Sequence, residues 1–170
     1  MREPVPMNEP ATDHDRIGPL AVLVGTWRGR GEGIYPTIDT FGYTEEIIFT
    51  DPVVKPFLAY TQRTRHATED RPLHAEAGYL RWSAGAAEWV LASPTGVTEV
   101  HTCVIDHVDG GITFRFVAAT VAATPTAKPV ATVERVLHVR GDALAYELWM
   151  GAVGQAHQLH LRADLLRTGA

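Results

Sequence analysis

From residue 25 onward the chain runs in short alternating segments, broken at intervals of roughly ten residues by glycine, proline or aspartate. Nowhere does a 3.6-residue apolar period last long enough for a long helix. About ten such segments can be counted, since each needs ~8 to 12 residues with its turn. They begin near residues 26, 41, 57, 73, 86, 96, 111, 129, 142 and 156. Phe41, Tyr43, Ile47 and Phe49 share one side of their segment, as do Ile112, Phe114 and Phe116, and as do Leu144, Tyr146, Leu148 and Met150. Asp109-Gly110-Gly111 and Arg140-Gly141-Asp142 read as tight turns in which glycine supplies positive φ. A meander of this length must protect its edges, and closure into a barrel does so most completely. The expected fold is therefore all-β, a ten-stranded antiparallel up-and-down β-barrel. A barrel wider than eight strands leaves interior volume that its own side chains need not fill, which is a first pointer to a ligand.

Ahead of the first strand, IGPLAVLVG is expected to form a short helical turn, and residues 1–17 a flexible N-terminal arm. Residues 18–170 then make one domain. With 170 residues, 45% hydrophobic, such a domain buries roughly two thirds of its unfolded surface and needs no staple. The single cysteine, Cys103, cannot pair within the chain. The first residues hold three prolines and mixed charge rather than an apolar export signal. No run approaches the ~20 apolar residues of a membrane helix. A net charge of -5 without a basic cluster disfavours nucleic acid. These features point to a cytoplasmic protein, with no membrane partner, acting on something small.

Residues 25–33, GTWRGRGEG, alternate with unusual regularity. Trp27, Gly29, Gly31 and Gly33 lie on one face, and Arg28, Arg30 and Glu32 on the other, solvent-facing side. Repeated inward glycine signals either a barrel bend closed off by Trp27 or close approach of a ligand. The GxWxGxG motif (Gly25, Trp27, Gly29, Gly31) is followed by Tyr35-Pro36-Thr37, Phe41, Lys55-Pro56-Phe57-Leu58 and Tyr60-Thr61-Gln62. His74-Ala75-Glu76, Gly78, Leu80-Arg81 and Met150-Gly151-Ala152-Val153-Gly154-Gln155 come next, in order. Together these resemble the nitrobindin family from about residue 20 to residue 167. The resemblance implies one haem b in a wide, partly exposed cleft at one end of the barrel. It also implies a ferric iron that binds nitric oxide reversibly and isomerises peroxynitrite to nitrate.

Carried over residue by residue, the resemblance makes His160, just before a Leu-x-Ala-x-Leu tail, the axial iron ligand and so the catalytic centre of the metal site. A neutral imidazole is the usual proximal ligand of a five-coordinate haem. It also makes Lys128, in the loop ATPTAKPVAT, and Thr37 cofactor-binding candidates at the propionates. Period-two counting complicates this, because it puts His160 in phase with Arg162 and Asp164, opposite Leu159, Leu161, Ala163 and Leu165. Either the leucine face packs on another surface, such as a second copy in a homodimer, or the strand's mouth end lines a roomy polar cleft.

His157 departs from the family pattern. Three residues from His160 on a strand, it faces the other way and reads as a surface residue rather than a metal partner. His14, His66, His74, His101, His107 and His138 show no metal-site spacing, and His74 with Glu76 is expected to make a structural hydrogen bond, with a place on the pocket rim as the second reading. Glu45 and Glu46 are adjacent, hence on opposite faces and no catalytic dyad. No nucleophile elbow, P-loop or paired-carboxylate signature is present. A pocket too apolar to hold a distal acid or base would suit isomerisation better than peroxidase chemistry. Two other functional classes stay open: a non-catalytic nitric oxide or haem carrier or sensor, and a metal-free lipid-binding barrel.

Overall fold

The structure is a computed structural model that describes residues 16–169. Ten antiparallel strands follow one another around a closed barrel. They are β1 (Gly25–Tyr35), β2 (Ile38–Thr50), β3 (Phe57–His66), β4 (Pro72–Ser83), β5 (Ala86–Ala92), β6 (Val97–Val108), β7 (Gly111–Ala123), β8 (Val130–Arg140), β9 (Ala143–Ala152) and β10 (Gln158–Gly169). Each strand pairs with its sequence neighbours, and β10 closes on β1. The observed starts lie within about three residues of those read from the alternation, because period-two patterning locates a strand better than its ends.

A 3-10 turn, Gly18–Leu23, precedes β1, where a short helical turn was expected. Ile17, Leu20 and Leu23 are fully buried against one end of the barrel. Trp27 is also fully buried there, and its Nε1 donates to the Leu23 carbonyl at 2.7 Å. Arg167 of β10 lies over the Trp27 ring at 4.1 Å and donates to the Val22 carbonyl at 2.9 Å, so it fastens this lid to the wall. Burying side chains of this size contributes roughly 1.5–3 kcal/mol each, which keeps this end shut. Of the expected arm, residues 1–15 lie outside the described residues. Arg16 and Ile17 are tied down, Arg16 through a bidentate pair with Asp51 at 2.7 Å.

The glycines of β1 resolve into packing. A Cβ at Gly29 would collide with the Asp164 carbonyl of β10, and one at Gly31 with the Tyr43 ring of β2. Glycine is required there because neighbouring backbone and an aromatic ring occupy that space.

Strand direction sorts the loops. The lid and the turns 51–56, 84–85, 109–110 and 141–142 sit at the closed end. Segments 36–37, 67–71, 93–96, 124–129 and 153–157 ring the opposite mouth.

Candidate functional site

His160 stands at the mouth, where β10 begins. The register between β10 and β9 jumps there: Leu159 pairs with Trp149, Leu161 pairs with Leu148, and His160 has no partner across the ladder. This extra residue is a β-bulge, and it resolves the phase conflict in the sequence. Leu161, Ala163 and Leu165 pack into the core as their alternation required, and His160 drops out of the count. Leu159, on the other side of the bulge, is half-buried and pairs with Trp149 instead of joining the core.

The His160 ring meets the buried Tyr35 ring edge to face, with centroids 5.0 Å apart. Its Nδ1 lies 3.2 Å from the Ile34 carbonyl. A carbonyl only accepts, so Nδ1 carries the proton and the neutral ring keeps its lone pair on Nε2. Burial holds the imidazole below its ordinary pKa, against the Ile34 hydrogen bond, and the nearby His74 adds to the depression. A neutral, tautomer-fixed imidazole is the form that coordinates iron.

Thr37 lies in the β1–β2 turn and Lys128 in the β7–β8 loop, both exposed and both at the His160 end. Phe41, Leu73, Val121, Val130 and Met150 supply partly buried apolar surface near the same end. A single nitrogen donor, an apolar surround and rim groups able to meet carboxylates are a set that fits haem. Two surface hollows, of about 620 Å³ around Gly110 and Asp142 and about 490 Å³ around Arg30 and Ala145, contain none of these three residues.

His157 sits on the outer wall as expected. Its Nδ1 is 2.9 Å from Thr132 Oγ1, and its ring stacks on Trp149. His74 and Glu76 make the expected hydrogen bond, at 3.3 Å. No group of three or more metal-ligating side chains forms among the described residues.

A polar layer lies inside the barrel. Arg135 of β8, nearly fully buried, donates to both oxygens of Glu76 at 2.7 and 3.0 Å and to Glu99 at 3.2 Å. Tyr60 donates to Glu76 at 2.7 Å. His101, fully buried, has Nε2 3.2 Å from Glu99 Oε2 without hydrogen-bond alignment. Burial, the largest influence, pushes Glu76 and Glu99 up, but Arg135 together with His74 at Glu76 and with His101 at Glu99 more than offsets it and holds both carboxyls below the usual range.

A second cluster joins Glu45 with Gln62 and with Tyr146, whose hydroxyl donates at 3.1 Å and lies 2.8 Å from that of Tyr43. Burial, only partly offset by Gln62 and Tyr146, pushes Glu45 up to about 7. Glu46, on the other face, pairs outward with Arg28 at 2.8 Å, so the adjacent carboxylates form no dyad. Taken one charge at a time, the sequence does not show this polar layer. The available signal was phase: Glu45 alternates with Tyr43 and Ile47, and Arg135 with Val133 and Leu137, all on buried faces.

A family model described as THAP4-like, heme-binding beta-barrel domain matches residues 16–167. Peroxynitrite isomerase 2 of Mycobacterium avium is 48% identical over 159 residues, spanning 93% of this chain and 98% of that protein. Peroxynitrite isomerase 1 of Rhodococcus jostii is 49% identical over 150 residues, spanning 85% and 82% respectively. The crystal structure of Rv2717c from M. tuberculosis aligns with a TM-score of 0.83 at 43% identity, over 88% of this chain and 94% of that one. A barrel closed at one end, an imidazole at the other and these matches along the same residues have one reading: the chain belongs to the THAP4-like heme-binding β-barrel family, the nitrobindin family.

Proposed function

We propose that the protein is a haem-dependent peroxynitrite isomerase that holds one haem b through His160 and also binds nitric oxide. The observation that carries the proposal is the Nδ1-protonated, half-buried His160 at the barrel mouth, in a chain whose relatives are named peroxynitrite isomerases. His160 would be the axial ligand, with Lys128 and Thr37 meeting the propionates. When bound, ferric haem would supply the Lewis-acid chemistry for isomerising peroxynitrite to nitrate and the affinity for nitric oxide.

The rearrangement is neutral in atoms, charge and electrons, so the protein has to deliver neither a proton nor a reductant. Four of the interior groups suit that requirement, while Glu45, raised to about 7, is engaged by Gln62 and Tyr146. Glu76 and Glu99 are engaged by Arg135 and are poor bases, while Tyr60 and Tyr146 are raised by burial and remain neutral donors at physiological pH. The Ile34 carbonyl keeps the His160 proton on Nδ1, away from the coordinating atom.

The test is hemin titration of purified protein and of His160→Ala, followed by stopped-flow mixing with peroxynitrite and nitrate analysis. The expected result is a Soret band that is lost or displaced in the variant, and faster peroxynitrite loss with nitrate as product. Nitrosyl formation without accelerated loss would make the protein a nitric oxide carrier. Co-purified fatty acid, with indifference to His160→Ala, would make it a lipid carrier.

A further inference from the structure

The axial candidate is held by little of its own strand. His160 is the bulged residue of β10 and has no partner across the β9 ladder. What surrounds it comes from the end of β1. The carbonyl that fixes its tautomer belongs to Ile34, in the peptide unit that leads into Tyr35, and the ring it leans on is Tyr35 itself.

Tyr35 is unusually well anchored for the last residue of a strand. Its register with β2 shifts between Gly33 and Tyr35, and the ring is 6% exposed. Its hydroxyl accepts from the Ala152 amide at 2.8 Å and donates to the Ala152 carbonyl at 3.1 Å. Ala152 ends β9, and β9 is not a neighbour of β1, because β10 lies between them. The Tyr35–Ala152 contact therefore bridges the start of β10, with His160 beneath the bridge.

We infer that Tyr35 is a positioning residue for His160: by locking onto Ala152 it immobilises the Ile34 carbonyl and the ring edge that hold the imidazole in its Nδ1-protonated form before haem arrives. The inference rests on His160 being the iron ligand. It goes further in naming the residue that sets the ligand's orientation, a role which outer-shell partners fill at many metal sites.

The test combines nitrogen-15 NMR of the histidine rings in apo-protein with haem transfer from holo-protein to apomyoglobin. The proteins are wild type, Tyr35→Phe, which keeps the ring and removes the bridge, and His160→Ala, which assigns the ring signals. Wild-type His160 is expected as the Nδ1–H tautomer alone. In Tyr35→Phe a mixture of tautomers and release of haem about tenfold faster are expected, the lower end of the range for outer-shell losses.

A Tyr35 that merely staples the strand end would lower the melting temperature of the apo-protein and leave tautomer and release rate at wild-type values, and that result overturns the inference. If Tyr35→Phe does not fold, a proton on Nε2 in the wild-type spectrum still overturns the inference, and Ala152→Pro, which removes the amide that donates to the Tyr35 hydroxyl, takes its place in both measurements with the same two outcomes. His160→Ala with an unchanged Soret band and release rate would instead remove the ligand assignment, whatever the tautomer measurement returns.

Discussion

Replacing Arg135 with methionine removes the guanidinium from a nearly solvent-free cluster that contains Glu76 and Glu99, leaving His74 on Glu76 and His101 beside Glu99. The side chain of Arg135 is 7% exposed and those of Glu76 and Glu99 are 3% and 9% exposed. Methionine keeps much of the aliphatic volume and part of the packing on Trp89, over which the guanidinium lies at 5.3 Å. The cost is therefore mainly electrostatic. The stranded Glu76 can respond by protonating. At pH 7, protonating a carboxyl whose ordinary pKa is 4.5 costs about 3.4 kcal/mol at 1.36 kcal/mol per pH unit. With the lost charge-assisted hydrogen bonds, a destabilisation of about 3–5 kcal/mol follows, in the range for a buried ion pair broken from one side. For a chain of this size that is a fall in melting temperature of roughly 10 °C.

The pH dependence separates this account from simple cavity formation. In the wild type the Glu76 carboxyl is depressed, so the pair's stabilisation is present above pH 4.5 and is lost only as pH falls through the depressed value. In Arg135→Met, burial raises the carboxyl, so the folded state takes up a proton that the unfolded chain does not, and stability climbs as pH falls from 7 towards 4.5. The gap between the proteins should narrow by about 2–3 kcal/mol from pH 7 to pH 5. Urea unfolding of the apo-proteins, followed by far-UV circular dichroism at both pH values, measures it. A gap below about 1 kcal/mol at pH 7, or one that does not change with pH, would refute the reasoning.

Glu45→Gln should behave in the opposite sense. The folded carboxyl is raised from 4.5 to about 7, so its contribution is fully present below pH 4.5 and is lost as pH rises through 7. The variant should gain about 2–3 kcal/mol on the wild type between pH 5 and pH 8, and parallel stability curves would contradict the assignment. Gly29→Ala forces a methyl group into the Asp164 carbonyl and against Leu165 Cα at 2.8 Å, where backbone cannot easily yield. It should cost about 2 kcal/mol or more in urea unfolding, and a loss under ~0.5 kcal/mol would show that the β1–β10 contact is looser than described. His157→Ala, on the outer wall, should change stability by no more than about 0.5 kcal/mol and leave the haem spectrum as it is. Loss of the Soret band in that variant would move the site to the other histidine.

Alternation alone determined the architecture. Trp27, Tyr43, Phe114, Phe116, Leu144 and Leu165 fall on buried faces as the period of two requires, because a strand with one wet face has no other stable register. The same alternation is blind to two things that the closed barrel decided. A bulge adds one residue and changes phase locally, so the surroundings of His160 depended on how β10 meets β9 rather than on counting along β10. Encounters between strands that are not neighbours depend on closure, so Arg135 meets Glu76 across the lumen, 59 residues away, and Tyr35 meets Ala152 over the start of β10, 117 residues away, although nothing in the local spacing of either pair suggests it. Phase along a strand is a property of neighbouring residues, whereas the partners of a buried charge are chosen by the path of the whole chain, and in this protein the polar layer and the support of the imidazole both depend on that path.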